Sequence, residues 1–224
     1  MTHATSNQQP WEFWGTDLVD LFFAPTQQPD PRTTQDADLA RTFNFVPGLK
    51  ELLMLRQVHA LEHATVWVLS SRAKPYAVAD STTPLPDNER LGGMSTDRGF
   101  YLYGNVDVTE LSRAVQVALR RITAGEWDLA VHPRCGTNLS VGMLLTAGLA
   151  VSAAVILPRG PIEQMLGLGI AAATAAHLTP DFGSLAQRYV TTAIPFNLAI
   201  DRIETSQDPF GRPAHFIQVR WKEG

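Results

Sequence analysis

Between Thr137 and Leu157 the chain (TNLSVGMLLTAGLAVSAAVIL) runs 21 residues without a charged side chain. A membrane-spanning helix needs ~20 predominantly apolar residues. Pro158, Gly160 and Pro161 then break the run, with Arg159 between them. A second apolar stretch follows from Ile162 to Leu178, rich in the Gly and Ala that let helices approach closely in lipid. Across Gly136 to Pro180 the only charges are Arg159 and Glu163. Two buried core helices of a soluble protein are one reading of this block. The reading we take forward is a transmembrane hairpin over 136–180, because such runs are hard to hide inside a chain of 224 residues.

A hairpin returns the chain to the side it left, so residues 1–135 and 181–224 share one compartment. The turn holds one of the 18 Lys and Arg, and the flanks hold the rest. The positive-inside bias therefore places both flanks in the cytoplasm and the turn outside an inner, cytoplasmic-type membrane. The opening MTHATSNQQP is polar and lacks the apolar core of a signal peptide. A net charge of −4 gives no basic footprint for nucleic acid. One cysteine, Cys135, excludes an internal disulfide and a four-cysteine zinc ribbon.

The remainder reads as an α+β soluble domain into which the hairpin is inserted. Residues 1–47 form an irregular arm in which Trp11, Phe13, Trp14, Leu18, Leu21, Phe22 and Phe23 mark a short amphipathic helix. That segment suits a membrane interface, a partner subunit, or packing on its own domain. Residues 48–135 form the α+β part that carries the motifs, beginning with one long helix over 48–71. A short strand over 76–79 and a polar, turn-rich segment over 80–98 follow. Gly99 to Tyr103 alternates like a strand, and Asp107 or Thr109 caps a helix to about Thr123. Residues 181–224 supply a helix over 185–194 and two strands, 198–203 and 215–221, around an Asp208-Pro209-Phe210-Gly211 turn.

The sharpest chemical feature is His59-Ala60-Leu61-Glu62-His63, an H-x-x-E-H pattern. Residues four apart share one helix face, so both imidazoles can reach one zinc ion. Glu62 is left beside the open side of the metal, where it can take a proton from water. This is the inverted zincin pattern. A satisfied histidine pair on a core helix has the same spacing. What favours metal is a second cluster, His132-Pro133-Arg134-Cys135, just before the first apolar run. Four of the chain's six His and one Cys thus fall in two tight groups. Cys135 at a helix start is also placed to be held as a thiolate. The alternative is a small buried cysteine beside a loop histidine.

The pairing of HALEHAT (59–65) with HPRCGT (132–137), followed by apolar helices, resembles a bacterial membrane-protein family of unknown function over roughly residues 50–205. That resemblance implies a membrane location and a shared site. The chain is more loosely similar to the pitrilysin-type inverted zincins. The correspondence runs through the H-x-x-E-H helix, Leu91-Gly92-Gly93, a strand segment from Thr96 to Tyr103, and the helix from Asp107. By that resemblance His59 and His63 are ligands and Glu62 is the general base. The third ligand of those enzymes is a glutamate on a downstream helix. Here that helix is apolar and carries no carboxylate, so His132 or Cys135 must stand in.

Two functions follow. If three of His59, His63, His132 and Cys135 bind zinc, the fourth position stays open and the protein is a membrane-anchored, peptidase-like hydrolase. If all four bind, the zinc is a structural staple. The protein is then a scaffold or accessory subunit, meeting other membrane subunits through the aromatic arm or the hairpin.

Overall fold

A computed structural model describes residues 35–72 and 88–222, all within one compact unit, Thr33–Gly224. The aromatic segment over 11–23 and the strand expected over 76–79 lie outside the described residues. The elements run α1 (Gln35–Thr42), α2 (Leu49–Arg72), β1 (Gly92–Thr96), β2 (Gly99–Tyr103), α3 (Val108–Thr123), α4 (Gly136–Ile156), α5 (Pro161–Ala186), β3 (Leu198–Gln207) and β4 (Pro213–Trp221). A 3-10 turn spans Trp127–Ala130 and a π turn spans Gln187–Thr191.

The four strands make one antiparallel sheet in the order β1-β2-β4-β3, so β1 is an edge. In β2, Phe100 and Leu102 turn inward and join Ile217, Val219 and Leu198 in the core. Tyr101 and Phe216 pair across strands, with ring centroids 4.7 Å apart. Helix α3 offers Leu111, Ala114, Val115, Ala118 and Ile122 to the same core, all fully buried. That spacing is the stripe a helix lays on a sheet. Its first turn is held by Asp107, whose carboxylate accepts from the Thr109 and Glu110 N–H groups. Helix α2 lies deepest, with every residue from Leu61 to Ser70 buried.

Because β1 and β2 precede the apolar block and β4 and β3 follow it, the sheet fastens both flanks of that block together. Helices α4 and α5 pack antiparallel. Gly183 lies against Asn138, Gly142 against Thr179, and Gly167 against Ala153 and Leu157. The inner seam of α5 is Gly167, Ala171, Ala175 and Gly183, small residues spaced by four, four and eight positions.

The expectation of two membrane-crossing runs is corrected here. Among the described residues only α4 is long and apolar enough to cross a membrane by length and composition, and none of its 21 residues is buried. Helix α5 falls short because its seam is Gly and Ala and its length includes Glu163, Gln164, His177 and Asp181. It also runs on through Pro180, the expected end of the apolar block, and closes in the π turn. Two further differences are small. Part of the expected irregular arm is helix α1, and the turn-rich segment before Gly99 contains strand β1.

Candidate metal centre

Helix α2 and the N-cap of α4 bring the candidate ligands together. Helix α2 brings His59 and His63 on adjacent turns of one face. Cys135 is the N-cap of α4, with extended backbone and a sulfur accepting from the Thr137 N–H at 3.4 Å. The ligand atoms of His59, His63 and Cys135 all lie within 4.8 Å of one another, and His59 Nε2 is 3.3 Å from Cys135 Sγ. Nitrogen and sulfur donors on one tetrahedral zinc sit ~3.5 Å apart, so the spacing fits a shared ion.

Backbone carbonyls fix which ring nitrogen faces inward. His63 Nδ1 is 2.7 Å from the Ala130 carbonyl, and His59 Nδ1 is 3.0 Å from the Thr191 carbonyl. A carbonyl can only accept, so both Nδ1 atoms carry hydrogen and both Nε2 lone pairs are left for a metal. Hydrogen bonding of the outer ring nitrogen in this way orients metal-ligating histidines. Burial pushes the Cys135 thiol up, but the hydrogen bond and charge of His63, with the Thr137 hydroxyl and N–H, bring it below the ordinary thiol range. The set is two imidazoles and a thiolate-prone sulfur, a combination that can hold a metal ion.

His132 stands outside that group. Its ring lies 5.7 Å from the His63 ring and 4.6 Å from Trp67, and its Nδ1 accepts from the Arg134 N–H at 3.3 Å. The hydrogen of a neutral His132 therefore sits on Nε2, the tautomer opposite to that of His59 and His63. Its own N–H donates to Gln187 Oε1 at 2.8 Å, which ties the HPRC turn to the end of α5.

Glu62 lines the same cavity of about 240 Å3, together with His59, His63, His132, Cys135 and the β1 residues Gly92 to Ser95. The Ser95 hydroxyl donates to Glu62 Oε2 at 2.5 Å, leaving Oε1 toward Gly93. A Cβ on Gly93 would run into the Glu62 carboxylate, so the backbone of β1 passes close against that side chain. Burial is the main influence on Glu62 and raises its carboxyl above the ordinary range, against the Ser95 hydrogen bond and the charge of His59. The Arg134 guanidinium donates to the carbonyls of Asn88 and Leu91 and so fixes the entry into β1.

Ser95 and the packing of Gly93 on Glu62 were not legible as parts of a site. A glycine pair inside a strand is a signal of close backbone approach, but it does not say what approaches.

Fold and site together define an α+β protein with a candidate His/His/Cys metal centre at the foot of an exposed apolar helix. The chain belongs to the DUF6391 family, a domain of unknown function, whose model matches residues 54–203. That span contains every residue of the centre. An uncharacterized protein of Picosynechococcus is 52% identical over 193 residues, covering 86% of this chain and 92% of its own length. No solved structure matches the chain.

Proposed function

We propose that the protein is a membrane-anchored, zinc-dependent hydrolase, peptidase-like in its chemistry, with its site at the cytoplasmic surface of the bilayer. The observation that carries the reading is the composition of the cluster. Three donors converge, and a buried carboxylate from the helix of the two histidines shares their cavity. Three protein ligands leave a zinc ion one open position, as catalytic sites do. The four-ligand staple is less favoured, because the His132 tautomer points its lone pair at the Arg134 N–H.

His59 Nε2, His63 Nε2 and Cys135 Sγ would hold the ion. Zinc bound there supplies Lewis acidity and lowers the pKa of water to ~7. Glu62 accepts a proton at Oε1 while Ser95 restrains Oε2. His59 and His63 are kept in the ligating tautomer by the Thr191 and Ala130 carbonyls.

Membrane anchoring is supported by α4, which exposes Leu144, Val151, Val155 and Ile156 at 64–80%. Such an apolar surface is costly in water. Helix α5 packs along α4, and the shared sheet holds the two flanks of the apolar pair together. The test is hydrolysis of a fluorogenic peptide library by the zinc-loaded, detergent-solubilised protein. Glu62→Gln is expected to keep its zinc and lose ~10²–10⁴-fold in rate. Loss of zinc without any parent activity to lose would assign the ion a structural role.

A further inference from the structure

Among the described residues outside α4 and α5, the largest group of exposed large apolar side chains lies in one place. The elbow between α1 and α2 is exposed at every residue from Arg41 to Gly48. It carries Phe45 at 74% exposure, Phe43 at 42% and Val46 at 40%, and Leu52 follows on α2 at 53%. The elbow is ordered by backbone hydrogen bonds, Val46 N–H to the Phe43 carbonyl and Leu49 N–H to the Val46 carbonyl. Its two aromatic rings lie 6.2 Å apart.

Its position ties it to the apolar pair. One helical turn beyond Leu52, the Arg56 guanidinium donates to the Tyr189 and Thr192 carbonyls, and the Ala193 N–H donates to the Arg56 carbonyl. Arg56 thus fastens this end of α2 to the π turn that closes α5. Around that turn Phe182, Leu185, Tyr189 and Val190 are exposed at 43–65%. The elbow and the end of α5 therefore offer apolar side chains on either side of one fastening. Aromatic residues with polar backbone around them suit the layer between headgroups and acyl chains.

We propose that the α1–α2 elbow inserts Phe43, Phe45 and Val46 into the interfacial layer of the bilayer, as a second membrane contact beside α4 and α5. The inference rests on the membrane reading above. This contact sets the height of α2, and with it His59 and His63, over the lipid surface.

The test uses the full chain in phosphatidylcholine vesicles containing lipids brominated either near the glycerol end or near the chain end of the acyl group. The emission that Phe45→Trp adds to that of the parent is compared with what Val151→Trp adds on α4. Phe45→Trp is expected to lose roughly twofold more of its added emission to shallow bromine than to deep bromine, as an interfacial side chain does. Val151→Trp should show the opposite order. If Val151→Trp is quenched and Phe45→Trp is untouched, or is quenched best from the bilayer centre, the elbow contact is wrong and the membrane reading stands. If neither is quenched, the membrane reading itself fails.

Discussion

Helices α2 and α4 are of similar length, 24 and 21 residues, and the more polar of the two is the buried one. Helix α2 carries Arg56, Gln57, His59, Glu62 and His63, yet every residue from Leu61 to Ser70 is buried. Helix α4 has no charge at all, and not one of its residues is buried. Polarity on a buried helix is tolerated where the polar groups find partners. Gln57 donates to Asp36 and Asn197, Glu62 accepts from Ser95, and His63 meets the Ala130 carbonyl. Apolarity on the exposed helix α4, by contrast, has no burial within the chain, and lipid is the surrounding we propose for it.

Substitutions can break that contrast. Leu61 is fully buried in α2, and Leu61→Ala should cost ~2–5 kcal/mol through lost transfer energy and a residual cavity. Leu144, 74% exposed on α4, should lose under ~0.5 kcal/mol of domain stability as Leu144→Ala. Chemical denaturation of both variants checks the pair, and equal losses would mean that α4 is buried against protein. The complementary change is Leu144→Arg, which should cost ~2.5–3.5 kcal/mol of membrane insertion near the helix centre. Carbonate extraction would read it as release from the membrane fraction. A protein that is soluble before and after the change would remove the lipid from the account.

A third change sharpens the polar half of the contrast. Gly93→Ala drives a methyl into Glu62 and should cost ~1–3 kcal/mol by overpacking. Gly92→Ala, whose nearest neighbour is a Tyr103 ring carbon at 3.9 Å, should cost less. Thermal melts of the two variants measure the gap.

The smallest expected effect lies at the turn between β3 and β4. Asp208 is buried, which raises its pKa. Bonds from the Tyr103 hydroxyl and from the Arg212 and Phe210 N–H groups outweigh that and hold it at about 2. Its folded pKa is below the unfolded value of ~3.9, so its contribution is full above that value and is lost as pH falls through about 2. Burial and the same bond push Tyr103 up to about 12, so its contribution is full below ~10 and is lost as pH rises through about 12. Asp208→Asn should flatten the acid limb of a stability-against-pH curve between pH 4 and 2. It should leave the neighbourhood of Glu62 unaltered.

The parts of this arrangement written locally were legible. His59 and His63 share a face because of helical spacing, and Cys135 caps α4 because an extended residue preceding Gly136 and Thr137 starts a helix there. Strand β2 and the Asp107 cap were likewise set by alternation and by a side-chain acceptor. What stayed hidden depends on long-range contact. Ser95 reaches Glu62 across 33 positions, and nothing in Gly-Met-Ser-Thr announces it. His132 has the residue type of a ligand, but its tautomer is set by the turn it occupies. Pro180 ends most helices, whereas here α5 continues through it because the seam against α4 extends to Gly183.

The proposed three-ligand centre with one open position is read out by zinc stoichiometry. Elemental analysis of the chain, purified without chelator, should give about one zinc in the parent and in His132→Ala, and none in His63→Ala or Cys135→Ala. Loss of zinc from His132→Ala would show a closed four-ligand site. A parent without metal would contradict the centre altogether.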